Sequence, residues 1–385
     1  MNKVGTYINH GSYKTFQPKL LSDPLKLTDE RIHLILSDAM RYLGELNAYS
    51  QLVPDIDFFI RMHIAKEATT SSMIEGTNTN LEEVLLQEND IIALEDTEKR
   101  DDWEEVQNYI AAINSAVKKL DKLPLATRLI CETHEILLSG VRGFTRAPGQ
   151  IRKVQNWIGG GSDIKSASFV PPAPETVSDL LSDLEKYWHN NDGTTPVLIK
   201  IALAHYQFET IHPFLDGNGR TGRLMIALQL IDSGILSKPT LYISDYFERN
   251  RASYYDALSQ VRTTGDYEQW VRFFVSGVAE VAKDASQTMR DVVTLKENYL
   301  ERIKNSIGPR RQHNARELLT LLFAQPIVTV AQIKNMLGCS TQTANQLAND
   351  LYDIGLFREL TGYRKNRQFV LGEYFDLFNK PRRSK

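Results

Sequence analysis

A dozen residues lodged between two stretches of helical periodicity constrain this fold more than any other part of the chain. Residues 212–223 read His212-Pro213-Phe214-Leu215-Asp216-Gly217-Asn218-Gly219-Arg220-Thr221-Gly222-Arg223. Before them, Val197, Ile201, Ala204 and Phe208 share one helical stripe, and after them an apolar helix begins near Asn218. Proline disfavours the α conformation in the residue before it, so the first helix is expected to end near His212. The outcome is a helix–loop–helix whose loop carries a proton acceptor, a carboxylate, three glycines and two arginines.

Other motifs compete for these residues. Gly217 to Gly222 formally matches G-x-G-x-x-G, but that dinucleotide fingerprint follows a parallel strand, and here a helical pattern precedes it. A Walker A loop needs Gly-Lys-Ser/Thr, which the chain lacks here. His205, Glu209 and His212 have metal-ligand spacing on a helix face, yet His212 is expected to lie outside the helix. His205 then reads as a structural histidine.

The helix–loop–helix suits a nucleotide polyphosphate with a divalent metal. A helix N-terminus presents free N–H groups and a positive dipole end to phosphate, and glycines let backbone approach closely. Arg220 and Arg223 lie about one turn apart and can grip different phosphates. Asp216 offers the hard oxygen ligand that Mg²⁺ takes beside phosphate oxygens. His212 readily accepts a proton near neutral pH.

Composition sets the remaining bounds. A chain of 385 residues exceeds one compact core, so two or three domains are expected. Hydrophobic content of 42%, charged content of 24% and a net charge of -3 describe an ordinary soluble protein without global basicity for nucleic acid. Cys131 and Cys339, in apolar helical contexts, read as free thiols of a cytoplasmic protein. The first residues lack the apolar core of a signal peptide, and no run approaches a membrane span.

Along the chain, Ile32, Ile35, Ala39, Leu43 and Leu46 form one apolar stripe. A second helix is expected from about Ile56 through Ala68, stopping at Gly76. Thr79-Asn80-Leu81-Glu82 has the form of a capping box that starts a third. The charged stretch from Glu95 to Glu105 reads as a solvated face or loop. A helical pattern over 123–138 ends in a turn at Gly140 and Gly143. Residues 146–176 are rich in Gly, Pro and Ser. There the extended pieces 154–158 and 166–170 flank Gly159-Gly160-Gly161, as a β-hairpin or a plain connecting loop would. Helices resume over 176–188 and at Pro196, with Thr195 as the cap. Beyond about residue 300, helices over 313–325, 330–337 and 341–354 precede two β-like pieces around Thr361-Gly362. That is the order of a winged helix-turn-helix. Its recognition helix carries Thr341, Gln342, Thr343, Asn345 and Gln346 but no Lys or Arg. Phosphate contacts would fall to Tyr363, Arg364, Lys365 and Arg367 in the wing and Lys380, Arg382, Arg383 and Lys385 in the tail. A DNA-binding wing and a protein-binding or dimerising one both remain open.

Residues 212–223 match, position by position, the Fic motif HxFx(D/E)GNGRxxR, and the chain resembles the Fic proteins. Gly149-Gln150-Ile151-Arg152, Trp157-Ile158 and Phe169-Val170-Pro171-Pro172 resemble that family's flap segment. Ser71-Ser72-Met73-Ile74-Glu75-Gly76 resembles its inhibitory motif (S/T)xxxE(G/N). The likeness covers about residues 15–280. It implies a mainly α fold: a Fic helical core with a β-hairpin flap, followed by a small winged helix-turn-helix domain. The corresponding parts are an N-terminal helical region over 1–110 with an inhibitory helix at about 56–76, a catalytic core over 111–290 and a winged-helix domain over 305–385.

The resemblance implies a protein adenylyltransferase, moving AMP from ATP to Ser, Thr or Tyr hydroxyls of target proteins, itself included. By that resemblance His212 deprotonates the hydroxyl, and Asp216 holds Mg²⁺ between the α- and β-phosphates. Asn218 and the backbone from Gly217 through Gly219, Thr221 and Gly222 line an anion hole. Arg220 and Arg223 secure the outer phosphates, with Arg223 nearest the γ-phosphate. Tyr255 falls in the adenine pocket, Phe214 packs the loop, and the 154–170 flap holds the target protein by strand addition. Ser71, Glu75 and Gly76 form the inhibitory segment, and Glu75 docked on Arg223 would leave the α-phosphate poorly aligned for attack. On helix geometry alone, Glu75 would be an ordinary helix-terminal surface residue. In some relatives that Glu assists removal of AMP. Other Fic-fold proteins transfer phosphate or phosphocholine, with motifs that depart from the one present here. A homodimer and DNA are further partners that this reading admits, and a membrane is not. An ATP-sensing, DNA-binding regulator with little transferase activity is the alternative.

Overall fold

The computed structural model describes residues 4–21, 27–52, 56–86, 97–141, 145–190, 193, 195–362 and 367–379. Among them, helices dominate and two small antiparallel sheets occur. The chain opens with a hairpin absent from the sequence-based expectations, β1 (Gly5–Asn9) and β2 (Lys14–Pro18), with Gly11 at φ +83° between the strands. Phe16 on β2 is buried, and its N–H donates to the Val170 carbonyl at 3.0 Å. The hairpin thus attaches to the end of the flap.

Helix α1 (Glu30–Leu52) packs along the 40-residue α11 (Tyr267–Ser306), with Ile32, Ala39, Leu43 and Leu46 fully buried and Ile35 half-buried. Helix α2 (Ile56–Ile74) ends just before the expected stop at Gly76, which follows it at φ +105°. Next comes α3 (Leu81–Val84), a single turn whose capping box sits one residue later than expected. Asn80, not Thr79, is the cap: its Oδ1 accepts from the Glu83 N–H at 2.9 Å, and Glu83 accepts from the Asn80 N–H at 3.1 Å. Thr79 is buried instead, and Asn caps a helix at least as well as Thr. Helix α4 (Thr97–Leu120) keeps the expected solvated face over residues 97–101, and the expectation fails at Asp102 and Glu105, which are buried.

Helices α5 (Thr127–Leu137), α6 (Pro174–His189), α7 (Val197–Ile211) and α8 (Asn218–Asp232) build the core around the loop. Pro196 itself takes the cap position of α7 without a side-chain cap, so Thr195 lies one residue too early for the role expected of it. The flap departs from a regular hairpin. Its arms meet at one bridge, Ile158 with Phe169, and a 3₁₀ turn over Ile164–Ser166 takes in Ser166, the first residue of the expected second extended piece. The Asp163 side chain caps that turn, and the glycines around φ +70° give the connection a compact path. Helices α9 (Ser244–Arg249) and α10 (Arg251–Thr264) lead into α11.

The C-terminal elements are α12 (Pro309–Ala324), β3 (Ile327–Thr329), α13 (Val330–Leu337), α14 (Thr341–Asp353), β4 (Phe357–Glu359), β5 (Gln368–Leu371) and α15 (Gly372–Asn379). The strands form one antiparallel sheet in the order β3-β5-β4. Arg367 pairs with Glu359 at 2.6 Å and stacks over Phe369, so this cation is engaged within the sheet. Residues 363–366 and 380–385, with Tyr363, Arg364, Lys365, Lys380, Arg382, Arg383 and Lys385, lie outside the described residues, as does Gly143. Helices α12 and α15 both pack on α2, with Phe378 of α15 against Phe59 and His63. No described helix is long and apolar enough to cross a membrane.

Candidate active site

Helix α7 ends at Ile211, and His212 follows in the left-handed region at φ 50°, ψ 62°. A non-glycine residue there carries local strain, and the surroundings must hold it. Arg152 Nε and Asn156 Nδ2 do so, donating to the His212 carbonyl at 2.9 and 3.1 Å. The His212 ring is largely enclosed, and its Nδ1 has no hydrogen-bond partner among the described residues. Burial brings its pKa down to about 4, the Glu209 backbone acts in the opposite direction, and the Arg152 charge lowers it further. His212 is therefore neutral and able to accept a proton at neutral pH.

The loop beyond it is internally braced. Asn218 Oδ1 accepts from the Phe214 N–H at 2.8 Å, and its Nδ2 donates to the Phe214 carbonyl at 2.9 Å. Thr221 Oγ1 donates to the Gly217 carbonyl at 2.8 Å. Both polar side chains thus close the loop. Gly217 precedes α8 at φ +71°, a conformation that favours glycine. Asp216 is exposed, and its Oδ1 accepts from the Gly217 N–H at 2.7 Å.

His134 on α5, which sequence reasoning missed, supports the loop from below. Its Nδ1 accepts from the Gly149 N–H at 2.8 Å, which makes Nε2 the donor to the Asp216 carbonyl at 2.9 Å. Its ring stacks on Phe214 at 3.8 Å, and burial lowers its pKa to about 4. His205 has the structural role expected of it. Buried, it donates from Nδ1 to the Gly222 carbonyl at 3.1 Å and accepts from the Tyr254 hydroxyl at 2.9 Å.

The two arginines of α8 reach different carboxylates. Arg223, buried, donates from Nε to Ser71 Oγ and from Nη2 to the Ser71 carbonyl, each at 2.8 Å, and from Nη2 to Glu75 Oε1 at 2.7 Å. Burial pushes the Glu75 carboxyl up, but the charge and hydrogen bond of Arg223, with Arg220 and His212 beyond, leave it below its ordinary value. The Glu75 side chain still keeps 36% of its surface accessible, so it sits at the edge of the site rather than inside the core. Gly219 lets it approach, because a Cβ there would overlap the Glu75 carboxylate. Arg220 donates to the buried Glu105 at 2.9 Å, and its Nε has no partner among the described residues. Gly222 lies against Glu209, whose buried carboxyl is raised to about 7 by burial. Tyr255 on α10 is 43% exposed, and the charges of Glu75 and Arg223 reach it.

Ser71, Glu75, Gly76, Asp216 and the whole 212–223 stretch therefore gather at one place. Among the groups that hold them, sequence reasoning missed His134, Glu105 and Asn156, and it named Arg152 only as part of the flap segment. None belongs to the 212–223 motif. Glu105 had a readable signal only in being acidic on a helix with buried apolar neighbours such as Val106 and Tyr109.

Residues 34–118 match the Fic/DOC family N-terminal profile, and residues 124–230 match the Fic/DOC family profile. The chain is 35% identical over 177 residues to protein adenylyltransferase fic-1 of Caenorhabditis briggsae, a match covering 43% of this chain and 31% of that protein. To protein adenylyltransferase Fic of Drosophila grimshawi it is 31% identical over 173 residues, covering 43% and 32%. The chain thus spans about a third of the length of these curated relatives. In fold it is similar to a Fic family protein from Desulfovibrio desulfuricans G20, with a TM-score of 0.55 at 19% identity over 90% of this chain and 97% of that one. A Fic domain containing signaling protein from Bacteroides thetaiotaomicron VPI-5482 gives a TM-score of 0.51 at 18% identity, covering 68% and 97%. Through residues 34–118 and 124–230, this chain belongs to the Fic/DOC family.

Proposed function

We propose that this chain is a protein adenylyltransferase, moving AMP from ATP to a Ser, Thr or Tyr hydroxyl of a protein, itself included. One observation carries the reading most directly. A neutral His212 precedes the start of α8, Arg223 lies in the first turns of that helix, and Glu75 occupies Arg223. The names of the relatives agree with it.

In the transfer, the target hydroxyl oxygen attacks the α-phosphorus while the bond to the bridging oxygen breaks. Pyrophosphate departs with that oxygen, and the hydroxyl proton passes to His212, a general base already neutral at pH 7. Free N–H groups at the start of α8 receive the phosphate charge, with Gly219 keeping the Arg223 side open and Gly217 and Gly222 letting the loop and helix pack on His134 and Glu209. Asn218 and Thr221 hold that backbone in shape. Arg220, half-neutralised by Glu105, keeps an unpartnered Nε for an outer phosphate. Tyr255 offers an accessible ring to the adenine. The 154–170 flap presents one bridge and otherwise unladdered arms to an extended target segment.

The residues fit a Mg²⁺ ion that arrives with the nucleotide. Asp216 is exposed and makes one backbone contact, and Mg²⁺ commonly takes a single carboxylate, water and phosphate oxygens. Bound there, it would neutralise phosphate charge. Among the described residues no group of three acidic or His/Cys side chains forms a cage.

Glu75 is the brake in this reading. Arg223 can turn to a γ-phosphate only by giving up Glu75, while its Ser71 contacts persist. The parts follow as an N-terminal region 1–110, a catalytic core 111–290 and a winged-helix domain 305–385, in a cytoplasmic protein. For the last domain, DNA is the weaker partner. Helix α14 carries Asp350 and Asp353 and no Lys or Arg, and Asp350 already engages Arg311 at 2.7 Å. Pairing with a second copy is the other use of that domain.

Incubating the Glu75→Gly form with ATP labelled at either the α or the γ position tests the reading. Protein-bound label from the α position alone supports it. Label from γ alone makes the chain a kinase, and label from neither returns the ATP-sensing regulator.

A further inference from the structure

Arg152 is buried at the junction of the flap and the end of α7, with 3% of its surface exposed. Its guanidinium meets no carboxylate among its hydrogen bonds and serves backbone carbonyls instead. Toward α7 it donates to Ile211 at 3.2 Å and to His212 at 2.9 Å. Toward the flap it donates to Val154 at 3.4 Å and to Pro172 at 2.6 Å. Its own backbone N–H donates to the Pro213 carbonyl at 2.9 Å. A cation at a helix C-terminus complements both the dipole and the orphan carbonyls there. The two flap carbonyls lie on the two arms near their base, so one planar fork ties both arms to the residue that bears the imidazole.

We propose that Arg152 is a positioning residue that registers the His212 base against the flap, so that a hydroxyl presented by the flap meets the imidazole at reacting distance. The proposal rests on the transferase reading above and deepens it. Geometry at His212 requires such a device, because left-handed backbone in a non-glycine residue holds only where neighbours over-determine it. Asn156 supplies the second clasp, with Nδ2 shared between the His212 carbonyl and the Phe214 carbonyl at 2.8 Å. Burial lowers the Arg152 pKa to about 10, which leaves it charged at neutral pH. A lysine would keep that charge and lose the planar fork, which separates the two contributions.

Nothing on the ATP side depends on Arg152, since Arg220, Arg223 and the start of α8 have other partners. In the Glu75→Gly background, Arg152→Gln is therefore expected to lower kcat about 100-fold, the scale of a 1 Å misplacement at a reacting centre. KM and Kd for ATP should stay within about threefold of the parent. Arg152→Lys should recover only part of kcat. In Arg152→Gln, isotope-labelled ring signals of His212 should move or broaden, a readout that needs no transferase activity. Arg152→Gln with parental Tm, parental ATP affinity, unchanged kcat and unmoved ring signals overturns the proposal. If Arg152→Gln fails to fold, Asn156→Ala takes its place, with an expected drop in kcat of about 10-fold at constant ATP affinity. An unchanged kcat in folded Asn156→Ala then overturns it. A Glu75→Gly parent that labels nothing removes the transferase reading, and the His212 ring signals alone then decide for or against Arg152.

Discussion

Arg223 has one buried partner and one partly accessible partner. Ser71 holds its Nε and Nη2 with two contacts at 2.8 Å from a buried position, whereas Glu75 joins from the partly open edge. The partner that costs least to displace is therefore Glu75. Replacing Glu75 with Gly is expected to raise self-labelling from α-labelled ATP at least tenfold over wild type, and equal labelling in the two proteins removes the brake. Adding His212→Ala to that form should lower labelling by a factor of about 10²–10⁴, the usual contribution of a general base. The pH profile has a matching sign. With the His212 pKa depressed to about 4, the rate should hold as pH falls through 6 and decline only near 4. An acid limb near 6.5, the ordinary imidazole value, would contradict the enclosed site described here. Residues 212–223 and Glu75 were legible in sequence because their chemistry depends on fixed short spacing. His134 and Glu105 were not, because they reach the loop from 82 and 115 residues away, through packing that no local pattern encodes.

Helix α2 leads into Glu75, the carboxylate paired with Arg223, and ties it to the rest of the molecule. Its last turn carries Ser71, Arg251 donates to its Ile74 carbonyl at 2.6 Å, and Asp102 ties down the following Asn78 N–H at 2.8 Å. Its other half is held by α12 and α15, with Phe378 seated on Phe59 and His63 at ring distances of 5.8 and 5.3 Å. Loosening that seat should free the helix that presents Glu75. Phe378→Ala, at a cost of up to about 3–5 kcal/mol for a buried Phe, is expected to raise self-labelling toward the Glu75→Gly level. A fall in Tm with labelling still at the wild-type level would mean that α2 holds its place without the C-terminal elements. Element boundaries followed from sequence where caps or glycines are unambiguous, as at Gly76 and at Asn218. They slipped where two capping residues stand side by side, as at Thr79 and Asn80. The start of the flap's second arm slipped for another reason: the Asp163 side chain caps a 3₁₀ turn that runs through Ser166.

Across the molecule, α11 forms a spine between the N-terminal helix α1 and the C-terminal elements, and Glu67 and Glu209 are buried acids of the core. Burial raises Glu67 and Glu209 from 4.5 to about 7, against hydrogen bonds from Ser244 to Glu67 and the charge of Arg223. The folded chain thus binds these protons more tightly than the unfolded one. Their contribution to stability is full below about pH 4.5 and is lost as pH rises through about 7. Urea midpoints at pH 5 and pH 8 should accordingly differ less in Glu67→Gln than in wild type, and an equal difference would place that carboxyl outside the balance. Neither acid announced itself in sequence, since a Glu on a helix is buried only by what packs over it. Competition between Glu75 and nucleotide for Arg223 is read out by the ratio of ATP to ADP affinity in wild type and in Glu75→Gly. With Glu75 present the Arg223 guanidinium is already paired with a carboxylate, so the γ-phosphate gains little and the two nucleotides should bind alike. With Glu75 removed, ATP should gain about 10-fold or more over ADP, the worth of one charge-assisted hydrogen bond. The same ratio in both proteins would contradict the account.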